Sequence, residues 1–226
     1  MIQRARIRLI SFILAACLMA ASLPAIAAKV VSYGDRSIKR VAITVDDCWS
    51  VVQLKRVLSA ADRYGVPVTF FPCGQAIRYN PAIWRKIASS RHEIGNHSYD
   101  HPSFTRLSQA GIERQLKLSQ EALNKALGYK YRLTFLRPPY GNGGYAGRLY
   151  KPMLAAMNRL GYTHAIMWTV DDLKNASRVV SQTRNGGNIL FHANSKSVDT
   201  LIRVIPMLQK KGYKLVTVSQ LYGIGR

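Results

Sequence analysis

The chain has 226 residues, 48% of them hydrophobic and 19% charged, and its 33 Lys and Arg against 11 Asp and Glu give a formal net charge of +22. That length holds one α/β domain with a full core, and a second domain would be squeezed. The basic field would draw in polyanions such as anionic envelope polymers, but the cations are spread along the chain with no zinc-finger or RNP-type signature, which speaks against nucleic-acid recognition.

The first segment differs from the rest. Met1 to Arg8 carries Arg4, Arg6 and Arg8 without an acid, an apolar run follows from Leu9 to about Ala28, and Ala25-Ile26-Ala27 forms a small-x-small pattern. Residues 1–28 therefore read as a secretory signal peptide and residues 29–226 as the exported domain. A retained anchor and a lipoprotein with Cys17 as its lipidated terminus are the alternatives; the run is near the lower limit for spanning, and apolar residues continue well past Cys17.

From Ser32 onward, short β-rich apolar runs alternate with amphipathic stretches, the pattern of βα units. Val41 to Val45 is predicted as a strand, followed by a helix over Val51 to Tyr64 with Leu54, Val57, Leu58 and Ala61 on one face and Gly65 as its stop. Pro67 to Phe71 is the next strand; a helix opens near Pro81, and His92 to Gly95 is a short strand. Ser108 is placed to cap a long helix that Gly128 closes. Further strands are expected at Thr134 to Leu136, Thr163 to Val170, Asn188 to Phe191 and Lys214 to Val218, with helices over Met153 to Leu160, Ser177 to Thr183 and Leu201 to Lys211. About seven such units without a long linker predict one barrel-like α/β domain. An open doubly wound sheet is the competitor, because spacing alone does not show closure.

Five segments end a predicted strand with a residue able to bind a metal or move a proton: Asp46-Asp47, His97 with His101, Arg137, Asp171-Asp172, and His192. In α/β folds the site lies where the carboxyl ends of the strands converge. Two histidines four apart suit chelation of one cation, and a carboxylate from a neighbouring strand would complete a set that leaves positions open for water and substrate. Successive strand side chains point to opposite sides. One of Asp46 and Asp47 is therefore expected to ligate while the other acts as a base. Arg137, fixed by Pro138 and Pro139, could hold a carboxylate bidentately. His192, after Ile189-Leu190-Phe191, is placed to act as a general acid.

Taken together, T-V-D-D, H-S-Y-D-H-P, R-P-P-Y and L-F-H resemble, in order and spacing, the motifs of the polysaccharide deacetylases of carbohydrate esterase family 4, the NodB-homology domain. The resemblance spans roughly Val41 to Leu221. It implies a distorted (β/α) barrel and metal-dependent removal of acetyl groups from N-acetylated sugars. It implies Asp46 as the base, Asp47, His97 and His101 as metal ligands, and the Tyr140 backbone amide as an oxyanion donor. Arg137 would orient Asp46 with Asp172 as its second partner, His192 would be the general acid, and Leu190 would line the pocket for the acetyl methyl, with Trp49 and Trp168 as further pocket walls.

Three positions depart from the family pattern. Cys48 stands where Gly usually follows the paired aspartates, Leu173 replaces a tryptophan in a shortened fourth motif, and Ala193 follows His192 in place of an acidic residue. None removes a ligand or a proton carrier. The expected protein is an exported monomeric deacetylase holding one divalent ion, zinc first, with Co, Ni or Mn as alternatives. Peptidoglycan is the first expected substrate, with chitin-like polymers and exopolysaccharides next. A non-catalytic glycan binder and an O-acetyl esterase are the rival readings. Cys48 and Cys73 follow strands expected to lie side by side, within reach of a disulfide in an oxidising compartment.

Overall fold

The computed structural model describes residues 28–144, 149–171 and 174–225. The signal segment through residue 27 with Cys17, and also Asp172 and Leu173, lie outside them. No helix among the described residues is long and apolar enough to cross a membrane.

The strands are β1 (Lys29–Val31), β2 (Arg40–Asp47), β3 (Thr69–Pro72), β4 (Glu93–Ile94), β5 (Phe135–Leu136), β6 (His164–Ile166), β7 (Gly187–His192) and β8 (Lys214–Val216). All pair in parallel, in the orders β1-β6-β5 and β4-β3-β2-β7, with β8 on β2. Two isolated bridges, Asn96 to Leu136 and Val170 to Ile189, join these sheets at both ends. The ring β2-β3-β4-β5-β6-β7 therefore closes, which decides for a barrel over an open sheet. Since β7 takes Val41 to Asp46 along one edge of β2, β8 must take the other edge at Arg40 to Ala42, below the stretch that β3 uses.

The helices are α1 (Val51–Tyr64), α2 (Gly74–Tyr79), α3 (Pro81–Ala88), α4 (Gln109–Leu127), α5 (Lys151–Leu160), α6 (Ala176–Gln182), α7 (Ser195–Lys210) and α8 (Val218–Tyr222). Ser50 and Ser108 cap α1 and α4 by accepting from the amides of Gln53 and Gly111, and Gly65 and Gly128 end them in the left-handed conformation.

The seven expected strands are present, with three differences. The run Thr163 to Val170 breaks after Ile166, because Thr169 turns its amide to the Asn188 carbonyl and starts the bridge to β7. β8 stops at Val216, because Thr217 forms a capping box with Gln220 and opens α8. β1 and the short α2 carry too little periodic pattern to stand out in the sequence.

Period-two alternation divides the wall of the barrel. Val41, Ile43, Val45, Phe70, Ile189 and Phe191 face the helices in one apolar cluster, whereas Ala42, Phe71, Phe135, Ile166 and Val216 form a second one inside the ring. The inward parity continues from Ala42 to Thr44 and Asp46 on β2 and through Asn188, Leu190 and His192 on β7. Apolar side chains thus share the inside of the ring with a buried Thr69–Glu93 pair toward the amino-terminal end, and with the polar layer of Thr44, Asp46, Asn188 and His192 toward the carboxyl end.

His164 opens β6 at the amino-terminal end of the ring. Burial, reinforced by the positive charge of Lys29, pushes its imidazole down to about 4. The unfolded chain takes up that proton near pH 6.5. Stability is therefore full above about pH 6.5 and falls as the pH drops toward 4, where the folded protein also protonates. Urea unfolding of the wild type should lose stability across this window through His164. A His164→Gln variant should lack that part of the slope, and an unchanged slope would assign the acid sensitivity to other groups.

Candidate active site and metal centre

At the carboxyl end of β2 the paired aspartates separate in role. Asp46 keeps strand geometry and points inward, 3% exposed. Asp47 would face outward by parity, but its φ of +64° bends the chain off the strand and brings its carboxylate round to the same rim. His97, His101 and Asp47 converge there. His101 Nε2 lies 3.2 Å from Asp47 Oδ1, His97 Nε2 lies 3.4 Å from the same oxygen, and the two Nε2 atoms are 3.2 Å apart. One ligand atom from each fits within a 4.8 Å span.

The protonation pattern suits a cation. The Arg137 carbonyl, 2.8 Å from His97 Nδ1, can only accept, so Nδ1 carries the ring proton and Nε2 presents a lone pair. Burial and the neighbouring His97 lower the pKa of His101, which keeps it neutral. Burial would raise the carboxyl of Asp47, but the positive charge that His97, His101 and His192 carry whenever they are protonated outweighs this and holds it below the usual range. Asp47 Oδ1 is buried without a hydrogen-bond partner. An ionised oxygen and two imidazole nitrogens facing one another across about 3 Å are mutually satisfied by a divalent ion, so the residues fit one.

The backbone around this set is strained in a consistent place. Asp47, Cys48, Ser98, His101 and Tyr140 all have φ between +60° and +68° without being glycine, a conformation that costs on the order of 1 kcal/mol or more for each. Hydrogen bonds hold the His97–His101 turn: Ser98 donates its amide to Asn96 Oδ1, the His101 amide donates to Ser98 Oγ, and Asn96 Nδ2 donates to the Leu116 carbonyl and the Tyr162 hydroxyl.

Arg137, fully buried, is the hub of the polar layer. Its Nη1 donates to Asp46 Oδ1 at 2.6 Å and to Thr44 Oγ1 at 2.8 Å, Nε donates to the Ile166 carbonyl at 3.0 Å, and Nη2 donates to Asn188 Oδ1 at 3.3 Å. The guanidinium also lies over the Phe71 ring. The expected pairing with Asp46 is present. The second expected partner, Asp172, lies outside the described residues, and Asp171 is exposed. Asn188 and Thr44 are the partners that sequence reasoning missed; the one local sign was a lone Asn directly before the apolar run Ile189 to Phe191, which calls for a buried polar partner without saying which.

Register sets His192 beside Asp46 and Leu190 beside Thr44 one step deeper, with Leu190 buried and His192 half-buried. Tyr140, 61% exposed, meets the His101 ring edge-on at 4.5 Å from the turn Pro139–Gly141. Trp168 is partly exposed above Arg137, and Trp49 stands in solvent before α1. The disulfide expected between Cys48 and Cys73 is not formed: both thiols are free and buried, and Cys48 donates its thiol to the Val45 carbonyl at 3.4 Å. Burial, with Asp46 and Asp47 nearby, raises both thiols.

Comparison with known proteins agrees with this geometry. A family model described as polysaccharide deacetylase matches residues 33–165. The chain is 33% identical to the uncharacterized protein YlxY of Bacillus subtilis, over 80% of this chain and 56% of that protein. It is also 33% identical to the peptidoglycan-N-acetylmuramic acid deacetylase PdaC of Bacillus subtilis, over 83% of this chain and 39% of that one. The chain thus spans between about two fifths and just over half of these relatives. Among solved structures, the Bc1960 peptidoglycan N-acetylglucosamine deacetylase superposes with a TM-score of 0.76 at 27% identity, covering 87% of this chain and 94% of its own. With its matching family model, closed barrel and rim of histidines and aspartates, this chain belongs to the polysaccharide deacetylase family.

Proposed function

We propose that the chain is the catalytic domain of an exported, metal-dependent deacetylase of N-acetylated glycans, with residues 1–28 as its signal peptide and peptidoglycan as its first substrate. The observation that carries this is a buried carboxylate, Asp46, held by Arg137 directly beside the Asp47, His97 and His101 set. When bound, a divalent ion, zinc before Co, Ni or Mn, would polarise the acetyl carbonyl and lower the pKa of water. Nitrogen and carboxylate ligands with open positions favour zinc. The peptidoglycan preference draws on the activities named for PdaC and for the Bc1960 structure.

The roles of the side chains follow from their placement. Asp46 has one oxygen tied to Arg137 and the other, Oδ2, 3.8 Å from His97 Nε2, so it is placed to take a proton from the attacking water. A bond forms from that water oxygen to the acetyl carbon. The Tyr140 amide donates to the developing oxyanion. His192, across β7 from Asp46, protonates the sugar nitrogen as its bond to the acetyl carbon breaks, giving acetate and a free amine. Leu190 receives the acetyl methyl, and Trp49 and Trp168 wall the sugar.

Acetate release from peptidoglycan, chitin oligomers and O-acetylated xylan, each with and without a chelator, tests the reading. Chelation should abolish release from N-acetylated glycans, and added zinc should restore it. Release from the O-acetyl polymer alone would replace the amide reading with an ester one.

A further inference from the structure

At the opposite end of the barrel, a cavity of about 720 Å³ opens among residues that the deacetylase reading leaves unused. Lys29, Glu93, Phe135 and His164 are the first residues of β1, β4, β5 and β6, and all line it. Because the strands are parallel, it lies at the amino-terminal end of the ring, away from the metal set. Its rim comes from the segment Y-K-Y-R, Tyr129 to Arg132, in which Tyr129, Lys130 and Arg132 are exposed.

We infer that this cavity binds an anionic glycan, a sugar polymer bearing carboxylate or phosphodiester groups.

The charge is one-sided. Lys29, Lys130 and Arg132 are the cations around the cavity. The single acid among the described residues of the lining, Glu93, is buried and already accepts from Thr69 Oγ1 at 3.1 Å and the Ser219 amide at 3.0 Å. An anion entering there meets uncompensated positive charge.

The polar and aromatic groups suit a sugar. Tyr129, 54% exposed, offers a ring face to a pyranose, and Tyr131 and Tyr222 add apolar wall. The Thr163 hydroxyl donates to the Thr134 carbonyl and so accepts from His164 Nδ1 at 2.8 Å, which leaves His164 Nε2 as an acceptor for a sugar hydroxyl. Burial keeps that imidazole neutral near pH 7.

The rim is also held in place before any ligand arrives. The Tyr131 amide donates to Asn124 Oδ1, Gln120 Nε2 donates to the Tyr131 carbonyl, and the Leu133 amide donates to Gln120 Oε1, pinning the segment to α4. A preformed rim loses little freedom on binding. Its concavity favours a polymer end or side group over a flat lipid surface.

The test uses the exported protein in co-sedimentation with insoluble peptidoglycan, before and after removal of its phosphodiester polymers, with neutral chitin and phosphatidylglycerol vesicles as comparisons. Binding to peptidoglycan should exceed binding to chitin, and survival or loss after stripping assigns it to carboxylate or phosphodiester. Lys130→Gln with Arg132→Gln should weaken it at least about tenfold. Tyr129→Ala should weaken it several-fold, with Tyr129→Phe restoring it. Acetate release from a short neutral N-acetylglucosamine oligomer and the melting temperature should not change. Lys55→Gln with Arg63→Gln removes the same charge from α1 and should leave binding intact. Equal loss in both double variants would reduce the effect to net charge and overturn the site, as would no loss in the first, or binding confined to the vesicles.

Discussion

Asp46→Asn is expected to keep the metal and lose about a hundredfold to ten-thousandfold in acetate release, the usual contribution of a general base. Asp47→Asn should do the reverse in order of cause, losing the metal first and activity with it. The expectation rests on one bond. Asp46 Oδ1 is held at 2.6 Å by Arg137, whereas Asp47 Oδ1 has no hydrogen-bond partner and faces two imidazole nitrogens. Metal content after gel filtration, set beside turnover, separates the two variants. Metal lost from Asp46→Asn and retained by Asp47→Asn would exchange the roles.

Arg137→Ala should be the most damaging substitution for the fold. It would leave Asp46, Thr44, Asn188 and the Ile166 carbonyl without their shared donor in the interior of the ring. Breaking a buried charged pair by removing one partner costs about 3 to 5 kcal/mol. Arg137→Lys restores the charge without the fork that reaches several acceptors at once, so it should fold at reduced stability and still turn over slowly, with the metal retained. Chemical denaturation of both variants gives the comparison. A Lys variant as stable and active as the wild type would show that charge alone matters at this position.

Much of this was legible in the sequence because the chemistry sits at strand ends. The spacing of Asp46, His97, Arg137 and His192 announced the rim, and the caps at Ser108, Gly65 and Gly128 announced helix ends, since both are local signals. What stayed hidden was set by long-range contacts. Nothing near Asn188 in the chain shows that it meets Arg137, 51 residues away. The left-handed turn at Asp47 was unforeseen for a related reason: alternation argued that adjacent aspartates diverge, and an aspartate seldom takes that conformation unless its surroundings impose it. The thiols were misjudged because pairing was inferred from strand adjacency, whereas Cys48 turns its sulfur to the Val45 carbonyl.

The pairing of β2 on both edges bears on how such a chain can change length. Shifting β2 by one residue would send Asp46 out toward the helices and bring Val45 into the polar layer, exchanging base and core in a single step. With β7 along one side and β3 and β8 along the other, any insertion within the strand must break several ladders at once. Gains and losses of residues are tolerated only in the connections at the two rims, where they reshape the surfaces that meet a polymer while the spacing of the reacting groups stays fixed.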